Sequence, residues 1–235
     1  MATETPAERA FANAIASIKE DTLFPDKVFA GDWDDYLFFE SLALFGSEFI
    51  DAKNLLLRDE DASAIAVINL GCTPVVRGRS VESTFLEEGT QRSDFFAALE
   101  EIGSSDEMMF VLARYVAASD KGNWAFYCEQ DTDIAVLALG EAVSTDTRKR
   151  LKEVLKAIPI GCAPGDRREP YFDFEDMLPE FRSALVAAYG GTDPGRNTLR
   201  NYDRTSMARR GHFRGWRRLL RMGRWIAGSP PGNDK

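Results

Sequence analysis

Three apolar segments separated by short polar turns form the clearest pattern along the chain. Residues 108–117 are almost continuously apolar, 124–129 alternate between large apolar and other side chains, and 134–139 are apolar again. Strands joined by connections this short run antiparallel. The pattern therefore predicts an antiparallel β-meander over about residues 108–139.

A further apolar run and several amphipathic periodicities complete the predicted fold. Residues 64–70 are rich in Ile and Val and predict a buried strand. Apolar residues three and four apart predict amphipathic helices. These helices cover about residues 6–20, 48–58, 91–102, 145–158 and 179–190, the first with a Thr5–Glu8 capping box and the fourth ended by Pro159. The expected fold class is α+β, with the meander packed against these helices.

The segment 23–45 combines aromatic and acidic residues in a pattern that predicts no particular element. Within it, Asp32, Trp33, Asp34, Asp35 and Tyr36 place three carboxylates beside two large aromatic rings. Aromatic anchors ringed by charge are typical of protein-binding surfaces. We therefore expect these five residues to bind a basic partner. The plainer interpretation is a solvated acidic loop over a core aromatic side chain.

Charge divides the 235-residue chain in two, although its overall net charge is only −9. Residues 1–195 hold 18 basic and 36 acidic residues, a net −18, whereas residues 196–235 hold ten Arg and one Lys against two Asp, a net +9. The Gly- and Pro-rich stretch 190–195 between them is typical of a linker. The sequence predicts an acidic α+β domain over 1–195 and a partly disordered, basic Arg/Trp-rich tail over 196–235.

The tail carries the pattern of a basic amphipathic helix near residues 213–227. The residues expected to contact an anionic surface are Arg209, Arg210, Arg214, Trp216, Arg217, Arg218, Arg221 and Arg224. That surface would be a membrane or a nucleic acid. Arginines three and four apart repel one another, so we expect the tail to be disordered alone and to fold on its target. An unstructured extension without a role is the simpler alternative.

The N-terminal sequence, the longest uncharged run and the cysteines together predict the cellular compartment. The first residues lack a basic region followed by an apolar stretch, and the longest uncharged run, 62–76, is 15 residues and too polar to span a bilayer. Three widely spaced cysteines fit reduced thiols better than a disulfide framework. These features predict a cytoplasmic protein.

The residue types in the chain give little support for a catalytic site. His212 is the single histidine, so a Ser-His or Cys-His pair would depend on the tail. Pro25-Asp26 followed by Asp51 and Lys53 only loosely matches a metal-dependent nuclease pattern, because Asp51 and Lys53 fall in a predicted helix. We expect no enzyme activity, no metal and no cofactor.

The function expected from these observations is non-catalytic protein binding of inhibitor or immunity type. The acidic surface would sequester a basic protein partner. One alternative is a regulatory or accessory protein that its tail recruits to an anionic membrane or nucleic acid. A lesser alternative is an enzyme that uses Cys72, Cys162 or clustered carboxylates. The carboxylate clusters are Asp32, Asp34 and Asp35; Asp131 and Asp133; and Asp173, Glu175 and Asp176.

Overall fold

A computed structural model describes residues 4–19, 21–71, 82–102, 114–130, 132–160 and 177–190. The helices within these ranges are α1 (Pro6–Ala16), α2 (Ser47–Glu60), α3 (Arg92–Ile102), α4 (Thr145–Val154) and α5 (Pro179–Tyr189). The strands are β1 (Asp35–Glu40), β2 (Ile65–Gly71), β3 (Glu82–Leu86), β4 (Arg114–Ser119), β5 (Trp124–Glu129), β6 (Ile134–Leu139) and β7 (Ile158–Pro159). The predicted α+β class is confirmed.

The strands form one antiparallel sheet in the order β3-β2-β4-β5-β6-β1-β7. Its centre is the predicted meander, and β5 and β6 have the expected bounds. The strand predicted near 64–70 is β2, shifted by one residue. Residues 108–113, where the first meander strand was expected to begin, lie outside the described residues.

Both faces of the sheet are covered, so every residue of β5 is buried. One face, here the α2 face, carries Phe126, whose ring centroid lies 5.3 Å from that of Phe49 in α2. The opposite side is the α1 face. It carries Tyr127, which meets Phe24 edge-on at 5.2 Å. The predicted alternation along β5 is present, but it separates two buried faces instead of core from solvent.

The segment for which no element was predicted supplies an inner strand. β1 lies between β6 and β7, and a 3-10 helix, Ser41–Phe45, follows it. Residues 36–39 are all buried because the helical layers on both faces leave no solvent side. Alternation, the usual mark of a strand, is therefore missing from this stretch.

Helix starts follow the predicted capping chemistry with small shifts. Thr5 and Glu8 form the capping box: the Glu8 amide donates to Thr5 Oγ1 at 3.2 Å, and the Thr5 amide donates to the Glu8 carboxylate at 2.7 Å. α2 begins at Ser47, one residue before its predicted start, and Gly46 precedes it. Ser144 precedes α4 and caps it by accepting from the Thr147 amide at 3.2 Å.

The prediction that α4 reaches residue 158 is wrong in its last turn. The helix ends at Val154, and Lys156 adopts a left-handed φ of 51° that reverses the chain. Ile158 then pairs with Phe38 of β1 in an antiparallel bridge. This pairing gives the outer edge of β1 backbone partners that a continued helix would not supply.

Candidate functional site

The five acidic and aromatic residues 32–36, here the acidic-aromatic loop, comprise the turn before β1 and the first two residues of that strand, Asp35 and Tyr36. Gly31 takes a φ of 81°, a left-handed conformation that glycine adopts without a steric penalty. The Asp34 amide then donates to the Leu139 carbonyl at 2.9 Å. The loop is thus tied to the end of β6 before the strand begins.

Trp33 is held in place but only half-buried. Its indole Nε1 donates to the Ala30 carbonyl at 3.1 Å, and its ring meets Phe29 at a centroid distance of 6.2 Å. Phe29 is itself fully buried. The indole is therefore fixed before any partner arrives, with part of its ring in solvent.

The three carboxylates of the loop differ in their surroundings. Asp34 lies 3.5 Å from the Arg148 guanidinium, and Asp35 lies 3.8 Å from the Lys152 ammonium, both on α4. Asp32 is exposed and forms no ion pair within the described part of the chain. The loop is therefore partly neutralised by α4, and Asp32 carries its least compensated charge.

Tyr36 points into the protein. It is 9% exposed, and its ring meets that of Tyr189 edge-on at 5.1 Å. The Lys27 ammonium lies 5.5 Å from the Tyr36 ring centroid, a cation–π distance. Among the described residues, no group forms a hydrogen bond with the Tyr36 hydroxyl. The structure thus places Asp32, Trp33 and Asp34 at the surface and makes Tyr36 part of the support beneath them.

A buried polar cluster holds the segment that leads to the loop. Glu129 is fully buried, and its Oε1 accepts from the Phe24 amide at 2.8 Å and the Tyr127 hydroxyl at 2.9 Å. The Tyr189 hydroxyl accepts from the Val28 amide at 3.0 Å and donates to a backbone carbonyl at 3.2 Å. Burial, reinforced by the Glu129 charge, raises the pKa of the Tyr127 hydroxyl well above its usual value of 10. The two tyrosine hydroxyls therefore stay un-ionised, and the cluster fixes the backbone that leads to Trp33.

Sequence reasoning missed this cluster. Glu129 was recognised only as one residue of an alternating strand, and Tyr189 only as part of a helix end. A carboxylate at the end of an otherwise apolar strand was the available signal, since such a group is retained inside a protein only when it is hydrogen-bonded.

Two further carboxylates, the half-buried Glu60 of α2 and the buried Asp120, bind groups around the turn between β4 and β5. Glu60 accepts from Ser119 Oγ at 2.6 Å and Trp124 Nε1 at 3.0 Å. Burial raises the pKa of Glu60 more than these hydrogen bonds lower it. Asp120 is 5% exposed, and there the balance is reversed: burial is outweighed by hydrogen bonds from the Ala64 and Ser63 amides and by Arg9, so its pKa lies below 3.8.

No family model, curated protein sequence or solved structure matches this chain. Its function therefore has to be inferred from the geometry of the described residues.

The residues considered for catalysis are not assembled into one site where the structure describes them. Asp26 lies in the segment packed on the α1 face, whereas Asp51 and Lys53 belong to α2 on the opposite face. The loose nuclease pattern is therefore split by the sheet. Lys53 is buried and donates to the Glu87 carbonyl, and its desolvation lowers its pKa.

Cysteine and metal chemistry can be followed for part of the chain. Cys128 is fully buried on the α2 face, and burial raises the pKa of its thiol far above its ordinary value. Cys72, Cys162, Asp131, Asp173, Glu175 and Asp176 lie outside the described residues. Within the described ranges, no group of three or more His, Cys, Asp or Glu side chains is placed to hold a metal ion.

The predicted tail contacts also lie beyond the described part of the chain, which ends at residue 190. Arg209, Arg210, Arg214, Trp216, Arg217, Arg218, Arg221 and Arg224 all belong to this undescribed part. Among the residues that are described, no helix combines the length and apolar character required to cross a bilayer.

Proposed function

We propose that this protein is a non-catalytic, cytoplasmic binding protein of inhibitor or immunity type that takes up a basic protein partner on its acidic surface. The observation that carries the proposal is the fixed, half-buried Trp33 between the exposed carboxylates of Asp32 and Asp34. A rigid aromatic residue contributes binding area at a low entropic cost. The carboxylates supply electrostatic complementarity to a basic surface.

A basic partner would compete with the cations of α4 for the carboxylates of the acidic-aromatic loop. Arg148 is anchored independently, since its Nε donates to the Val143 carbonyl at 3.0 Å. Asp34 is about half exposed beside it, so a partner cation can approach its open side. Exposed ion pairs contribute little to stability, so exchanging one for an intermolecular pair costs the fold little.

The partner is identified by affinity capture on the immobilised full-length chain at low salt, followed by titration of the purified partner. We expect a protein with a basic isoelectric point whose affinity falls as sodium chloride is added. Trp33→Ala should weaken binding by about 2 kcal/mol or more, the range of an aromatic hot spot. Asp32→Asn should slow association and weaken binding less.

The matched control is Asp51→Asn, which removes the same charge from an exposed position of α2 on the other face. It should leave the affinity almost unchanged. A captured partner that is acidic, or one that binds the Trp33→Ala and Asp51→Asn variants equally well, would show that the acidic-aromatic loop is not the binding surface.

The second candidate is recruitment through the tail, which the eleven basic residues of 196–235 favour. Truncation after Pro194 separates the two. Under the main proposal the truncated chain retains its protein partner. Under the alternative, binding to anionic vesicles or nucleic acid is present in the full chain and disappears on truncation.

A further inference from the structure

The strand β3 forms one edge of the sheet. It pairs with β2 through Leu86 opposite Ile65 and Phe85 opposite Ala66, and it is the terminal strand in the sheet order. Among the described residues no strand pairs with its other side. An edge of this kind presents backbone donors and acceptors that another extended chain can use.

Phe85 lies on the α1 face of this edge strand and is 46% exposed. Its partner Ala66 is fully buried, because α1 packs over β2 and β4. The Phe85 ring is only partly covered, so it lies at the margin of this layer. Only one other large apolar residue in the described part, Val186, is exposed to a comparable degree.

A groove of about 320 Å³ runs beside this ring. Its lining comes from the start of α1, from the residues just before β2, and from β3 and the turn after it: Thr5, Pro6, Ala7, Ser63, Ala64, Phe85, Glu87 and Thr90. A strand added to β3 would place alternate side chains on the α1 face, directly next to Phe85. The groove is the space into which such a side chain would project.

The surroundings of the groove are acidic. Glu87 is exposed and forms no ion pair within the described residues, and Glu4 and Glu8 lie at the start of α1. Of these acidic side chains Glu88 is ion-paired, since it lies 2.6 Å from Arg58, whereas Lys53 and Arg9 donate to the backbone carbonyls of Glu87 and Glu4. A second copy of this chain would bring a second Glu87 to the same edge. Charge complementarity therefore favours a basic occupant.

We propose that the β3 edge binds an extended basic segment of a partner protein as an added strand, with one of its apolar side chains in the groove beside Phe85. This is the β-augmentation mode of recognition, in which backbone hydrogen bonds supply affinity and the groove supplies specificity. The surface is separate from the acidic-aromatic loop, because β3 is the first strand in the sheet order and β1 the sixth.

The test uses the full-length chain and a fluorescent peptide of alternating Lys and Val as the probe. Binding is followed by fluorescence anisotropy at low salt. We expect saturable binding below about 1 mM, and at least fivefold weaker binding, about 1 kcal/mol, for Phe85→Ser and for Glu87→Gln. A peptide N-methylated at alternate residues along one edge should not bind, since it cannot donate to the strand.

Two control variants make the outcome decisive. Val186→Ser removes the other exposed apolar side chain, and Glu153→Gln removes an exposed charge from α4; both should bind the peptide as the wild type does. The proposal is overturned if no binding occurs up to about 1 mM, if Phe85→Ser binds normally, or if the N-methylated peptide binds equally well. A concentration-dependent dimer that Phe85→Ser abolishes would instead assign the edge to a second copy. Either result leaves the role of Trp33 to be decided by its own experiment.

Discussion

At the residue scale, Asp120 joins three parts of the chain. Its Oδ1 accepts from the Ser63 amide at 2.8 Å and the Ala64 amide at 3.1 Å, while its Oδ2 lies 3.2 Å from the Arg9 guanidinium of α1. An asparagine can preserve the first two bonds but must turn its amide group toward the guanidinium. The Asp120→Asn substitution therefore tests the interaction with Arg9 separately from the two backbone hydrogen bonds.

We predict that Asp120→Asn lowers the free energy of unfolding at neutral pH by about 1–2 kcal/mol, since two donors then face each other in a buried site. Urea denaturation measures the change. Asp61→Asn serves as the control, because Asp61 is exposed and its φ of 51° is one that asparagine tolerates well. If both variants lose the same free energy of unfolding, the burial of Asp120 does not increase its contribution to stability.

The same substitution has a defined pH dependence. The pKa of Asp120 is lowered in the folded state from 3.8, so the unfolded chain takes up the proton first as pH falls. The stability contributed by the carboxylate is complete above the unfolded pKa and is lost as pH falls through the folded pKa. The difference between wild type and Asp120→Asn should therefore be largest near neutral pH and shrink below about pH 4. A difference that grows on acidification would contradict this sign.

At the scale of elements, the C-terminus of α2 gives a clean test of backbone conformation. Asp61 caps the helix in the left-handed region, where glycine has no Cβ penalty. We predict that Asp61→Gly raises the free energy of unfolding by about 0.5–1 kcal/mol. Asp51→Gly makes the same change inside α2 and should lower it by about 0.3–0.5 kcal/mol. Thermal unfolding of the two variants should move in opposite directions, and a shared direction would be inconsistent with this explanation.

The elements also show what local pattern can and cannot predict. The meander was predictable because its strands are consecutive and its turns carry characteristic residues. β1 was not, since its partner β6 lies about a hundred residues later and burial on both faces removes alternation. The last turn of α4 failed for a related reason: Ile158 occupies a helical position in the sequence, but pairing with β1 outweighs that local preference.

The candidate site was predictable in composition but not in orientation. The acidic-aromatic residues are adjacent in sequence, so their grouping required no tertiary information. Which of them face solvent depends on Tyr189 and Phe29, which pack against Tyr36 from distant or preceding segments. The ion pairs with α4 depend on the same tertiary placement.

At the scale of the whole molecule, the division of charge gives a prediction independent of any partner. Residues 1–195 carry −18 and should repel one another, whereas the tail contributes +9. We predict that a chain truncated after Pro194 folds and gains several degrees in Tm when sodium chloride is raised from about 0.02 M to about 0.5 M. The full chain should gain less. If calorimetry gives the same gain in Tm for the truncated and the full chain, the tail does not reduce the charge repulsion within residues 1–195.

Because Cys128 is completely buried, the alkylation rate of its thiol can measure how often the sheet opens. Its thiol lies on a middle strand with none of its surface in solvent, so a small alkylating reagent reaches it only when the sheet comes apart. In a chain with Cys72→Ser and Cys162→Ser, the alkylation rate would report how often that opening occurs. Slower labelling in the presence of a candidate partner would then reveal binding without any tag or chromophore attached to the surface.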